Sequence, residues 1–404
     1  MKDNRPYLGV FQTHPIQYQV PLWRLMAQSD SLRIKVFYAT RHGLETRMDP
    51  LWGLSFAWDI PLIEGYPHEF LSPAIRIPFL PGPVANYYPC GLSKALASEP
   101  FDAVLLNGYM TGVAWAGYRA ARRLRLPILL RGDSHLHRSK SHHCREWGKN
   151  LFLRHFLSRV SWCLAIGAWN RDYWRHYGMP DSRIRTTLYA VDNDHFSHAR
   201  QGQPDRIRDL RLAWKVDPNE TVFGYVGNFQ PHKGINILLK AFMRLCEKRD
   251  NIHLVLIGAG PAENALRQEV KDENQRIHWL GFVNQAELPV YLSSIDMLVL
   301  PSLCEAWGLV VNEAMAAGTP CIVTDACGSG PDLIEVMQTG LVVRANDIEA
   351  LEVAMNQACD PEQRTIWRGR IPAILERASF VDNLRVIVEC VTKCSEEHKS
   401  QCGF

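Results

Sequence analysis

The chain has 404 residues, 47% of them hydrophobic and 22% charged, which gives material for two or three globular domains and excludes a fibrous or mostly disordered protein. Its formal net charge of +3 is unevenly held: residues 1–200 carry 25 Lys and Arg against 15 Asp and Glu, the remainder 20 against 27. The opening residues are polar, so no secretory signal is expected there, and no apolar run reaches the roughly 18 to 20 residues of a membrane span.

From the amino end, strand candidates at 7–11, 34–38, 103–106, 128–130 and 163–166 alternate with helical patterns at 22–27, 112–123 and 170–177. Such alternation predicts a parallel sheet covered by helices. The stretch 41–89, rich in Pro, Gly and aromatic residues, breaks the pattern and reads either as a β-rich insert or as a mobile loop. Arg119, Arg122, Arg123 and Arg125 cluster, with Arg131, Arg138, Lys140, Arg145 and Lys149 following. This basic half is expected to draw an anionic lipid surface or a phosphorylated acceptor.

The polar run 197–209, with Gly202 and Pro204, reads as an interdomain connection. Alternation then restarts with strands at 222–226, 253–257, 277–280, 297–300 and 321–324 and helices at 235–248, 262–273, 285–293 and 309–317. The predicted fold is α/β, with two Rossmann-like doubly wound domains at 1–200 and 201–375. A helix and tail at 376–404 are expected to pack back on the first domain. A central cleft between the domains is the expected site, since ligands of open parallel sheets lie outside the carboxyl ends of the strands.

The eleven cysteines form no spaced framework; Cys163, Cys246, Cys304 and Cys321 sit in apolar runs, as in a reducing compartment. Cys390 and Cys394, one helical turn apart, read as unpaired helix cysteines.

The chemistry concentrates in two segments. In the first, strand 297–300 runs into a short loop carrying Glu305, Ala306, Trp307 and Gly308, and the loop opens a helix. Gly308 lets the backbone pass close to a ligand, and the amides of Leu309 and Val310 point outward at the positive end of the helix dipole, a natural seat for a diphosphate. Glu313, five residues on, is spaced to accept from a ribose diol while Glu305 faces the hydroxyls of a sugar. The shape of the loop around Ala306 and Trp307 would set the choice of sugar. In the second segment a strand ends at Gly227-Asn228, and Lys233 precedes a helix that starts at Gly234; this lysine can reach phosphate as a point charge. In the first domain, strand 128–130 leads into Asp133 and His135, candidates for contacts near the reacting carbon, with Arg131, His14 and Gln17 on the acceptor side.

The second half resembles glycosyltransferase family 4. The resemblance is carried by Tyr225-Val-Gly-Asn with Lys233-Gly-Ile-Asn-Ile-Leu-Leu-Lys-Ala-Phe, Leu256-Ile-Gly-Ala-Gly-Pro, Leu280-Gly-Phe-Val, the run from Pro301 to Asp325 with two Glu eight apart, and Tyr189-Ala-Val-Asp. It covers residues 189 to about 345. It implies the two-domain GT-B fold and retaining transfer by front-face displacement, with Glu305 on the donor sugar, Glu313 on the ribose, Lys233 on the diphosphate, Gly308 to Val310 on the phosphates through amides, and Phe282 and Val283 on the base. Two positions depart from it: Asn228 stands where arginine is common, and Gln12–Tyr18 replaces a glycine-rich loop.

The reading is therefore a hexosyl transfer from a UDP- or GDP-linked sugar to a hydroxyl of a lipid-linked, polysaccharide or lipopolysaccharide acceptor. No cofactor beyond the nucleotide-sugar co-substrate, no metal and no nucleic acid is expected. The expected location is the cytoplasm, with peripheral contact at the inner membrane face through the basic half. The alternatives are a sugar-nucleotide epimerase on the same fold and a catalytically silent nucleotide-sugar-binding subunit, the latter favoured by Asn228.

Overall fold

A computed structural model describes residues 3–72, 74–77, 86–136, 143–270 and 275–402, with side chains for all of these except 74, 143–145 and 398–402. Arg138, Lys140 and the side chain of Arg145 lie outside the described residues, as do the end of the helix predicted at 262–273 and parts of the 41–89 stretch. The chain forms two units, Met1–Glu45 with Pro61–Leu188 and Phe380–Phe404, and Thr46–Ile60 with Tyr189–Ser379.

The first unit begins with β1 (Tyr7–Gln12), buried at every position, then α1 (Val20–Gln28) and β2 (Arg33–Tyr38). After β2 the chain leaves for the second unit, where β3 (Arg47–Asp49) and β4 (Leu54–Phe56) form an antiparallel hairpin, and returns for β5 (His68–Phe70). An antiparallel pair, β6 (Ala74–Arg76) and β7 (Tyr87–Pro89), follows, then α2 (Leu92–Ala97), β8 (Ala103–Asn107), α3 (Gly112–Leu124), β9 (Ile128–Gly132), α4 (His143–Leu157), β10 (Trp162–Ala165), α5 (Gly167–His176) and β11 (Ile184–Thr186). Of the two readings open for 41–89, its described residues fit the β-rich insert.

The seven-stranded sheet runs β11-β10-β9-β8-β1-β2-β5, parallel throughout. Each element follows from local chemistry. The Thr111 side chain caps α3 by accepting the Ala114 N–H at 3.2 Å, and Val113, Ala116 and Ala120 form the buried stripe at helical spacing. Small residues there bring the helix close to the aromatic layer of Phe11, Phe37 and Phe101.

In the second unit α6 (Asn193–Gly202) and α7 (Pro204–Ala213) lead to β12 (Thr221–Val226), α8 (Ile235–Cys246), β13 (Ile252–Ile257), α9 (Glu263–Glu269), β14 (Ile277–Gly281), α10 (Leu288–Ser294), β15 (Met297–Leu300), α11 (Leu309–Ala316), β16 (Cys321–Thr324), β17 (Gly340–Val343), α12 (Ile348–Ala358) and α13 (Pro361–Arg377). The run expected to connect the domains, 197–209, is mostly helical. Its helices dock by polar contacts rather than an apolar stripe: Arg200 Nε donates to Ala317 O at 2.7 Å and Arg211 Nη1 to Asp296 Oδ2 at 3.0 Å. The boundary expected at 200 therefore falls at Leu188/Tyr189, because α6 packs on α10 and α11. Finally α14 (Phe380–Cys402) belongs to the first unit and packs on α1, with Asn383 Nδ2 donating to Leu188 O at 3.1 Å.

The nine cysteines with described side chains are all free. No described helix is long and apolar enough to cross a membrane.

Candidate functional site

The second sheet runs β14-β13-β12-β15-β16-β17, parallel throughout. The chain winds outward from β12 through β13 and β14, then returns to lay β15 on the other flank of β12. In doubly wound sheets ligands sit where that winding reverses, outside the carboxyl ends. The loops leaving β12 and β15 at that point carry Lys233 and Glu305, and the two side chains form a half-buried ion pair.

Tight backbone contacts hold these loops. Leu303 N–H donates to His232 O at 2.8 Å. Gly234 has φ +69°, and a Cβ there would lie 2.1 Å from Pro301 O, so no other residue lets the loops approach this closely. The Glu305 loop is also laddered to the segment after β16: Glu305 N–H donates to Ala326 O at 2.9 Å, Gly328 N–H to Glu305 O at 3.0 Å and Ser329 N–H to Trp307 O at 3.0 Å. Ser302 Oγ donates to Glu305 Oε2 at 3.4 Å. Gly308, at φ +88°, turns the chain into α11, whose amino end has no side-chain cap. The amides of Leu309 and Val310 lie in its first turn, where a helix supplies no acceptor.

Glu313, one turn into α11, accepts from Gln285 Nε2 at 3.3 Å. Burial pushes its carboxyl up from 4.5 to about 7, against the opposing pull of the Gln285 hydrogen bond. Asn228 gives its carbonyl to the Tyr225 hydroxyl at 2.9 Å, while its buried Oδ1 has no hydrogen-bond partner among the described residues.

Trp307 does not face the ligand side of the loop as expected. It is 3% exposed, and its Nε1 donates to Asn312 Oδ1 at 2.8 Å while Asn312 Nδ2 donates to Tyr189 O at 2.8 Å. The indole braces the loop from behind, leaving Ala306 as the half-buried neighbour of Glu305.

Phe282 and Val283 follow the end of β14, both half-buried. Against Phe282 lie Trp52, with ring centroids 5.1 Å apart, and Phe56, at 4.6 Å. Both come from the β3–β4 hairpin. That hairpin is tied to the same loops by Gln230 Nε2 donating to Leu51 O at 3.0 Å, Asn284 Nδ2 donating to Ala57 O at 2.8 Å and Asp59 Oδ1 accepting from Ala286 N–H at 3.1 Å. Sequence reading missed Trp52, Phe56 and Gln285; the aromatic density of 41–89 was the one signal for the first two.

The first sheet also reverses its winding, between β1 and β8. His14 follows the end of β1, its Nδ1 2.9 Å from Thr13 Oγ1 and its ring edge-on to His42 at 5.0 Å. Burial, with the His42 charge adding to it, pulls His14 down to about 4, so it is neutral at pH 7. Gln17 lies half-buried on the same loop. At the end of β9, Arg131 is 3% exposed and Asp133 exposed, while His135 is buried 5.3 Å from the Trp169 ring.

Among the described residues no three His, Cys, Asp or Glu side chains form a metal-holding group. The sequence contains one Asp-x-Asp tripeptide, Asp192-Asn193-Asp194. It opens α6, where Asp192 Oδ1 accepts the His195 N–H at 3.0 Å and so acts as a helix cap.

Residues 207–368 match the family described as Glycosyl transferases group 1. The matched segment includes both site loops and α11. The chain is 29% identical over 222 residues to O-antigen chain mannosyltransferase B of Escherichia coli, covering 54% of this chain and 55% of that one. It is 33% identical over 175 residues to D-inositol 3-phosphate glycosyltransferase of Mycobacterium sp. (strain JLS), covering 41% and 37%. The chain thus spans about half or less of the curated relatives it matches. Among solved structures, Anabaena HepE in complex with UDP superposes with a TM-score of 0.71 at 19% identity, covering 96% of this chain and 100% of that one. WaaG, a glycosyltransferase involved in lipopolysaccharide biosynthesis, superposes at 0.66 and 16% identity, covering 95% and 99%. The fold is GT-B.

Proposed function

We propose that the chain is a retaining glycosyltransferase of family 4 that moves a hexosyl group from a UDP- or GDP-linked sugar to a hydroxyl of a lipid-linked, polysaccharide or lipopolysaccharide acceptor. The observation that carries the reading is the meeting of Lys233 and Glu305 at the winding reversal of the second sheet, beside the uncapped start of α11 and one turn from Glu313. Lysine and the α11 amides suit a diphosphate, Glu313 a ribose diol, and Phe282 with Val283 a base. Glu305 then takes the sugar hydroxyls once the diphosphate draws Lys233 away from it.

In this reading negative charge grows on the leaving diphosphate, and Lys233 with the amides of Leu309 and Val310 stabilises it without a metal. The leaving phosphate helps to deprotonate the acceptor hydroxyl. In this reading Asp133 and His135 of the first unit contact the reacting carbon, and Arg131, His14 and Gln17 serve the acceptor. A neutral His14 there offers a hydrogen bond rather than a charge. The nucleotide sugar is a co-substrate and no further cofactor is invoked. The proposed location is cytoplasmic, with the basic first half in peripheral contact with the inner membrane face.

Nucleotide release from UDP- and GDP-sugars, followed with and without lipid-linked acceptors, tests the activity, and an NMR time course of the product anomer tests its stereochemistry. Release that depends on acceptor with retained configuration is expected. An inverted product removes the mechanism, and no turnover with any donor removes the activity.

A further inference from the structure

We infer that the first unit carries a second ligand site, at the amino edge of its sheet, that takes a phosphate monoester or diphosphate group. A hollow of about 530 Å³ is lined there by Arg122, Arg125, Arg159, Arg183, Ser161 and Glu397, among others. An adjoining hollow of about 570 Å³ shares Arg122, Arg159, Ser161 and Arg183 with it. The arginines come from three connections that all enter strands from the same end: Arg122 and Arg125 before β9, Arg159 before β10, Arg183 before β11. The residues assigned to the acceptor side follow the opposite ends of strands in this sheet, so this site is separate from theirs and does not rest on the proposed function.

The charge in the hollow is unbalanced, with four guanidinium groups facing one carboxylate. Arg183 Nη1 lies 3.6 Å from Glu397 Oε2 and donates to Ser161 O at 3.4 Å. Among the described residues the side chains of Arg122, Arg125 and Arg159 form no hydrogen bond or ion pair. A simpler account is that cations complement helix carboxyl ends, since Arg122 and Arg125 close α3 and Arg159 follows α4; each such contact contributes about 0.3 to 1 kcal/mol. That account places a cation near each helix end but does not require them to converge on one concavity, where they repel. A polyanion removes the repulsion, and the planar guanidinium fork matches two phosphate oxygens at once. Glu397, reaching in from α14, acts as a partial internal counter-ion in the ligand-free protein.

The test is calorimetric titration of the full chain, in a Lys233→Ala background that removes the cation of the proposed donor seat, with inorganic pyrophosphate, alongside co-sedimentation with phosphatidylcholine vesicles with and without phosphatidylglycerol. Binding is expected to weaken at least tenfold in the Arg122→Gln/Arg159→Gln double variant. In Glu397→Gln it is expected to tighten severalfold, a gain that a misfolded variant does not give. Pyrophosphate binding with this signature assigns a soluble phosphate ligand; vesicle binding with the same signature, and no pyrophosphate binding, assigns a lipid headgroup. Binding in both assays that is unchanged in the double variant, or no binding in either, overturns the site.

Discussion

Replacing Glu313 by Gln changes one oxygen for an amide in a carboxyl that burial pushes well above its ordinary value. The wild-type group titrates at about 7 folded against 4.5 as an ordinary carboxyl, with burial as the main cause. A folded value raised in this way stabilises the protein fully below the ordinary value, and that contribution is lost as pH rises through the folded one. At about 1.4 kcal/mol per pH unit, wild type should lose about 2 to 3 kcal/mol between pH 5 and pH 8 relative to Glu313→Gln. For a unit of this size that is roughly 5 to 10 °C in unfolding midpoint. Thermal unfolding of both proteins across this range measures it, and the curves should converge below about pH 4.5, separate as pH rises through 5 and 6, and run level above about pH 7, with the variant the more stable. Gln285→Ala, which removes the one hydrogen bond favouring the anion, should extend the decline to higher pH and deepen it. Parallel curves for wild type and Glu313→Gln would refute the buried carboxyl and the ribose role built on it.

Lys233→Ala should lower transfer about 10²- to 10³-fold by removing a cation from the leaving diphosphate; Glu305→Gln should also lower it, and the double variant should fall short of the product, because the two side chains touch. Steady-state rates of the three proteins decide this, and undiminished transfer in either single variant shows that the site is wrong. Gly234→Ala puts a Cβ against Pro301 O at a positive φ; it should cost roughly 2 kcal/mol or more and weaken nucleotide binding, read by denaturant unfolding and titration. At the amino end of the second sheet, His253 Nδ1 lies 3.1 Å from His278 Nε2, and burial pulls His278 down to about 4. A lowered folded value gives stability present above pH 6.5 and lost as pH falls toward 4, so His278→Gln should flatten the acid side of the unfolding curve.

Where sequence periodicity came from burial against near neighbours, it located the elements well. Strands 297–300 and 321–324 match to the residue, and α11 begins at Leu309 because Gly308 ends the loop. That the loops of Lys233 and Glu305 leave the carboxyl ends of strands in one sheet was legible in the strand order; the ion pair between the two side chains was not. What escaped was set by partners far along the chain. Helices α6 and α7 have too little apolar stripe to announce themselves, since α7 buries no residue, and arginines bonded to carbonyls 83 to 117 positions away fix them. Trp307 read as a ligand residue because an aromatic beside two acids is ambiguous until Asn312 and Tyr189 are in view. Asp192-Asn193-Asp194 shows the converse, a motif in the sequence whose first side chain caps a helix.

The excursion of Thr46–Ile60 bears on modularity. Because the chain leaves the first unit after Glu45 and rejoins it at Pro61, a fragment cut as 189–379 would hold the whole second sheet yet lack the hairpin that covers Phe282. The second unit is therefore not inherited or transplanted as one contiguous stretch: a chimera made by exchanging it at a single junction carries one parent's aromatic hairpin over another parent's loop, and has to reconcile the two.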